Sequence, residues 1–372
     1  MIGRIVTPER VIPHGRLVVE DRTIEAVEEL DGPAPEGAST FVPGFVDLHN
    51  HGGDRGAFPT GSEEDCRRAA AFHLRHGSTT LLASLVSATE EEITRQVRVL
   101  RPLVEDATIA GIHLEGPFIN ACRCGAQAPD RIQPGDPEMF ARILEVAEGT
   151  VRQMTLAPET DHVDELVRLC VEHNVVVSFG HSDADAETAR LAVQRAVEAG
   201  ATVTATHLFN GMPPVHHRKP GVAAAMLTAA ASGQAWAEVI ADGVHLADDT
   251  VDMVVASAPG HSFAITDAME AAGMPDGDYR LGPLEVAVVD RVARLVEGGA
   301  IAGGTSTLHD QYLRFSSRHG EVAAAKFVAT TAAEVLGLSH VGRLEPGAVA
   351  DVVELAPTGE IRSVIRQGQK VS

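Results

Sequence analysis

The sequence predicts an α/β fold: a (β/α)8 TIM-type barrel with a small β-sandwich domain contributed by both chain termini. Three observations predict it. From residue 41 onward, apolar strand-like runs alternate with helical patterns through eight units, the order that builds parallel strands joined by helices. The short strands at the two chain ends are too few to fold alone and need each other to complete a sheet. Histidines and carboxylates close many of the apolar runs, which is where a barrel keeps its chemistry.

The elements follow in order. Residues 1–40 carry strand patterns at 3–6, 16–20 and 23–28, broken by turn residues such as Asp31-Gly32-Pro33. The eight barrel strands are expected at 41–48, 78–86, 109–114, 151–157, 175–180, 201–206, 236–241 and 262–266. Helical patterns lie between most of them, at 63–76, 90–104, 137–147, 163–173, 186–199, 222–232 and 248–257. A doubly wound open sheet is the alternative, weakened because no Gly-x-Gly-x-x-Gly follows the first strand. Residues 279–302 break the period and predict an antiparallel insertion, followed by a helix at 322–336 ended by Gly337. Strands at 352–355 and 361–366 then pair with the N-terminal ones. The expected division is a β domain of residues 1–42 plus 342–372 and a catalytic barrel of residues 43–341.

Composition narrows the function classes. The 372 residues are 44% hydrophobic and only 4% aromatic, a globular composition with room for a large core. With 30 Lys+Arg against 52 Asp+Glu the net charge is −22. Such a surface repels nucleic acid and anionic membranes, and an anionic substrate needs a local basic patch. No apolar run reaches the ~20 residues of a membrane span. The start Met1-Ile-Gly-Arg4 lacks a signal-peptide layout. Cys66, Cys122, Cys124 and Cys170 form no disulfide framework, and a reducing cytoplasm is expected.

The chemistry sits at the strand ends. His49 and His51 follow the first apolar run with i, i+2 spacing, so on a strand both imidazoles share a face. Glu115 closes the third strand, His181 the fifth, His207 the sixth and Asp267 the eighth. Any one of these histidines is as readily a hydrogen-bonded structural residue. The set at equivalent positions suits one or two divalent cations such as Zn²⁺. A carboxylate such as Glu115 can bridge two ions through its two oxygens. Metal-bound water drops to a pKa near ~7, and the hydroxide attacks a carbonyl. Asp267 beside it takes the remaining proton as general base and delivers it to the leaving amine as general acid. That is amide hydrolysis.

At these residues the chain resembles the amidohydrolase superfamily, and within it the N-acetylglucosamine-6-phosphate deacetylases. The motifs are Pro43-Gly-Phe-Val-Asp-Leu-His-Asn-His-Gly-Gly53, His113-Leu-Glu-Gly-Pro-Phe118, Gly180-His-Ser-Asp-Ala184, Thr206-His-Leu-Phe-Asn-Gly-Met212, Ala241-Asp-Gly-Val-His245 and Thr266-Asp-Ala-Met269, running nearly end to end. The resemblance implies that Glu115, His181 and His207 hold one metal, and that His49, His51, Glu115 and Asp267 hold the other. Strand four ends Leu156-Ala-Pro-Glu159, without the lysine that bridges metals in other amidohydrolases. It further implies an acetamide hydrolysis that yields glucosamine 6-phosphate and acetate, in amino-sugar catabolism or cell-wall recycling. The alternative is another N-acyl amino sugar or an N-acyl amino acid; a non-catalytic sugar-phosphate-binding barrel is the reading from outside the enzymes. Substrate contacts are expected from Gln127, Asn210, Gly211, Arg218 and His245, with Arg218 on the phosphate. Bare sequence reads His216-His-Arg-Lys219 equally as a solvated loop. Gln127 stands where many members have a substrate-touching histidine. Cys122 and Cys124 are expected as free thiols in the same loop. The family implies a homodimer.

Overall fold

A computed structural model describes residues 1–371; Ser372, the last residue of the expected β domain, lies outside the described residues. Eight parallel strands form one sheet in strict chain order: Phe45–Asp47, Ser78–Leu85, Gly111–Glu115, Val151–Leu156, Val176–Phe179, Val203–Ala205, Trp236–Val239 and Ser262–Ala264. Sequential parallel order with helices on the outside is the barrel arrangement. The seam between the first and last strands is tied by side chains and loop backbone. Thr266 gives its N–H and its hydroxyl to Asp47 at 3.1 and 2.6 Å, Asp267 N–H bonds the His49 carbonyl at 2.9 Å, and His51 N–H bonds the Ala268 carbonyl at 2.7 Å. The doubly wound alternative is therefore excluded.

The connecting helices carry their own start signals. Ser62 and Asp65 form a capping box at the helix Glu63–Arg75, and Thr89 and Glu92 form one at Glu90–Glu105. Each helix turns an apolar face to the strands. Phe45, Leu82, Ile112, Phe140, Phe179 and Phe263 are fully buried in the single large core that results.

The first apolar run is not one strand. Thr40–Pro43 belongs to the terminal sheet and Phe45–Asp47 to the barrel. Gly44 makes the break. A Cβ there would lie 2.2 Å from Thr79 Oγ1, and its N–H bonds the Asp351 carbonyl at 2.9 Å. The terminal sheet has seven strands, in the order 369–370, 361–366, 352–355, 40–43, 2–6, 11–20, 23–29. Its far edge curls back, where Ile24 N–H bonds the Ala348 carbonyl at 2.9 Å and Ala350 N–H reaches the Arg22 carbonyl at 2.8 Å. Ile5, Leu17, Ile24, Phe41, Leu344 and Val352 fill the space enclosed.

The insertion is an antiparallel three-stranded sheet of Gly277–Leu281, Leu284–Val289 and Val292–Leu295. Two helical differences from the sequence reading stand out. A helix at Leu308–His319 was not expected, although Thr307 and Asp310 give it a capping box. The expected helix at 322–336 is present as Glu321–Ala325 and Thr331–Val335, joined by a π-turn at Lys326–Thr330.

Candidate metal centre

The fold brings together six of the predicted residues at the C-terminal mouth of the barrel. His49 and His51 lie just past strand one, Glu115 ends strand three, and His181, His207 and Asp267 follow strands five, six and eight. The three residues beyond strands five, six and eight all have left-handed backbones, with φ of 46°, 26° and 47°. Such conformations cost on the order of 1–3 kcal/mol each in a non-glycine residue and persist only where the surroundings hold them. Here they are held. His207 N–H bonds Glu238 Oε2 at 3.1 Å, Asn120 N–H bonds the His181 carbonyl at 2.9 Å, and Gly304 N–H bonds the Asp267 carbonyl at 2.6 Å. The turn swings each side chain from the strand line onto the barrel axis.

Glu115 is the hub. Its Oε1 lies 2.9 Å from both His181 Nε2 and His207 Nε2, and 3.5 Å from His49 Nε2. Its Oε2 lies 3.3 Å from His51 Nε2. Asp267 Oδ1 approaches His49 and His51 Nε2 at 3.4 and 3.3 Å. Two ligand groups share one carboxylate: His49, His51 and Glu115, and Glu115, His181 and His207, all buried.

The atoms behind the rings decide what the front atoms are. His49 Nδ1 faces Glu238 Oε2 at 3.2 Å, His51 Nδ1 faces the Ser84 carbonyl at 3.1 Å, and His181 Nδ1 faces the Arg123 carbonyl at 2.8 Å. These partners only accept, so Nδ1 carries the proton of each neutral ring and Nε2 is the nitrogen left to present a lone pair to a metal. The four Nε2 atoms converge on one another and on carboxylate oxygens; His49 and His51 Nε2 are 3.1 Å apart, as are His181 and His207 Nε2. Acceptors packed against acceptors in a dry site need positive charge between them, from a ring proton or from a metal ion that replaces it. A divalent metal fits this donor set.

Protonation follows the same electrostatics. Burial raises the Glu115 pKa, but His49, His181 and His207 outweigh it and hold the carboxyl well below its usual range. Burial likewise opposes ionisation of Asp267, and His49 and His51 overcome it and bring its pKa down to about 2. Burial disfavours a charged His49, yet Glu115 and Asp267 push its pKa well above the ordinary value. His113, packed between Ser84 Oγ at 2.9 Å and Thr155 Oγ1 at 2.8 Å, has its pKa depressed by burial and stays neutral below the cluster.

A cavity of about 250 Å³ opens over the cluster, walled by Glu115, His181, His207, Asn210, Gly211 and His245 and roofed by Leu281 and Ile301 of the insertion region. His245 Nδ1 meets Asp242 Oδ2 at 2.8 Å; burial lowers its pKa, Asp242 raises it more, and the net is upward. Gly211 has φ +62°, and a Cβ there would come within 2.8 Å of His181 Nδ1. Gln127 lines the cavity but spends its amide nitrogen on Glu115 Oε2. Arg218 is not brought to the cavity wall: it lies in an exposed loop, with Nη1 2.7 Å from His217 Nε2. Sequence reasoning missed Glu238, which is fully buried and holds His49, the His207 N–H and Gln153 together. Its signal was a lone charge inside the apolar run Trp236-Ala-Glu-Val-Ile240. The carbonyls of Ser84 and Arg123 leave no sequence signal at all.

Residues 40–371 match the model of the amidohydrolase family. The chain belongs to the amidohydrolase family. That family is metal-dependent, in keeping with the His/Glu groups above. The chain is 31% identical to N-acetylglucosamine-6-phosphate deacetylase of Bacillus subtilis strain 168, covering 98% of this chain and 94% of that one. It is also 31% identical to N-acetylgalactosamine-6-phosphate deacetylase of Escherichia coli O157:H7, covering 99% and 98%. Among solved structures, a mutant of N-acetyl-D-glucosamine-6-phosphate deacetylase from Mycobacterium smegmatis, in complex with N-acetyl-D-glucosamine-6-phosphate, superposes with a TM-score of 0.91 at 38% identity, covering 99% and 97% of the two chains.

Proposed function

We propose that this amidohydrolase cleaves the acetamide of N-acetylglucosamine 6-phosphate, giving glucosamine 6-phosphate and acetate. The observation that carries the reading is the convergence of four imidazole Nε2 atoms and two carboxylates at the floor of a cavity of about 250 Å³, in a chain so similar over its length to deacetylases of this kind.

The metal ligands in this reading are His49, His51, Glu115, His181, His207 and Asp267, for one or two Zn²⁺. Bound there, the ion supplies Lewis acidity and a nucleophile at neutral pH. The chain's own residues do the rest. Asp267, ionised because its neighbours hold its pKa at about 2, accepts a proton on its carboxylate and passes it to the departing amine. Glu238 and the Ser84 and Arg123 carbonyls keep the imidazoles aimed. Asn210, Gly211 and His245 line the cavity that takes the sugar in this reading, and Leu281 and Ile301 line it from the insertion region. We assign Arg218 to the phosphate: a guanidinium matches its geometry, and its loop follows the strand that delivers His207. Residues 43–341 form the catalytic barrel, and 1–42 with 342–372 the β domain. A homodimer in a reducing cytoplasm, with four free thiols, completes the reading.

The relative from Escherichia coli O157:H7 favours a second reading, N-acetylgalactosamine 6-phosphate. Acetate release is to be measured from both phosphorylated sugars and both unphosphorylated ones, before and after metal stripping and with Zn²⁺ restored. Metal-dependent release from N-acetylglucosamine 6-phosphate, and little from the unphosphorylated sugar, is expected. Faster release from the galactose epimer moves the assignment to that sugar. Release from neither by Zn²⁺-loaded protein overturns the substrate class.

A further inference from the structure

The two oxygens of Glu115 are not equivalent, and Gln127 is the reason. Oε1 has no amide on it and meets His181 and His207 Nε2 at 2.9 Å each. Oε2 accepts the Gln127 Nε2–H and stands off from His51 Nε2 at 3.3 Å. Gln127 is itself buried and fixed at both ends: its side-chain oxygen accepts the Ser87 backbone N–H at 2.7 Å, and its own N–H bonds the Cys124 carbonyl at 2.9 Å. The Ser87 N–H can only donate, so the amide oxygen must face it and the NH₂ must face Glu115. The amide cannot flip without stranding two buried groups.

We propose that Gln127 is a positioning residue that ranks the two metal groups, giving Glu115, His181 and His207 the tight site and His49 and His51 the weak one. The inference rests on the metal-centre reading above. The amide steers Oε1 onto the His181–His207 pair and takes up a lone pair of Oε2 that an ion on the His49–His51 side would share. Both effects act in the same direction, widening the gap between the sites. Partners behind a ligand typically change metal affinity ~10–100-fold, so the gap is of that order.

The test is a Zn²⁺ titration of full-length, metal-stripped protein with bound metal counted at equilibrium, for wild type, Gln127→Leu and Gln127→Met. Leucine removes the donor. Methionine also removes it, with an unbranched side chain of similar length and no charge, and so covers a failure of the Gln127→Leu variant to fold. The expected result is two Zn²⁺ in wild type with dissociation constants at least about ten-fold apart, and a ratio that shrinks about ten-fold in the variants. One Zn²⁺ in wild type becoming two in either variant supports the proposal equally. An unchanged or wider ratio, or one Zn²⁺ throughout, overturns the role of Gln127 and leaves the metal centre standing. No Zn²⁺ bound by wild type overturns the metal reading itself.

Discussion

Asp267 combines a strained backbone, at φ 47°, with a carboxylate held at a pKa of about 2 beside His49 and His51. Asp267→Asn keeps the shape and removes the basic oxygen. Acetate release should fall by about 10²–10⁴-fold, while Glu115, His181 and His207 still retain a metal ion on dialysis. Undiminished turnover in that variant would remove Asp267 from the chemistry. Glu238 acts one layer further out, through His49 and the His207 N–H. Glu238→Gln keeps the volume but turns an acceptor into a mixed group; Zn²⁺ affinity should weaken ~10–100-fold, read by competition with a chelator. Equal affinity would mean that the His49 ring is aimed by packing alone.

At the scale of elements, the sequence pattern marks strands and barrel helices well because each has one wet and one dry face or none wet at all. It fails where an element's role changes along a run. Residues 41–48 are uniformly apolar, yet Gly44 divides them between two sheets through a close approach to Thr79 that only the folded chain displays. The helix Leu308–His319 has a legible start, Thr307 with Asp310, but its polar sequence hides the buried Leu308, Tyr312 and Phe315 face. Removing the cap in Thr307→Ala should cost about 1 kcal/mol, measured as a lower urea midpoint with the metal content unchanged. No change in the midpoint would show that tertiary packing alone fixes this helix start.

At the scale of the whole molecule, burial of titratable groups sets how stability follows pH. His73 is fully buried, with Nε2 2.9 Å from the Gly52 carbonyl, and burial lowers its pKa to about 4. The unfolded chain takes up that proton near pH 6.5 and the folded one only near 4, so the unfolded state binds more protons in between. Stability from this residue is complete above ~6.5, declines as pH falls through that window and levels off below ~4, a loss on the order of 3 kcal/mol. The slope of metal-free unfolding free energy between pH 6.5 and 4 should therefore flatten in His73→Gln. An identical slope in both proteins would place the acid sensitivity elsewhere. Among the described residues no helix is long and apolar enough to cross a membrane.

The sequence by itself determined the barrel, most strands of the terminal sheet and the six residues that meet at the barrel mouth, because strand periodicity places C-terminal ends and those ends carry rare residue types. It did not reveal which side chains aim the ligands or where the substrate residues fall. Glu238 is 189 positions from the His49 it holds, and the Ser84 and Arg123 carbonyls belong to backbone that any residue would supply. Gln127 reads in sequence as a substrate contact and is turned by Ser87 onto Glu115. Only the tertiary structure decided these, because a hydrogen bond depends on where two distant atoms meet, and local pattern records burial rather than partners.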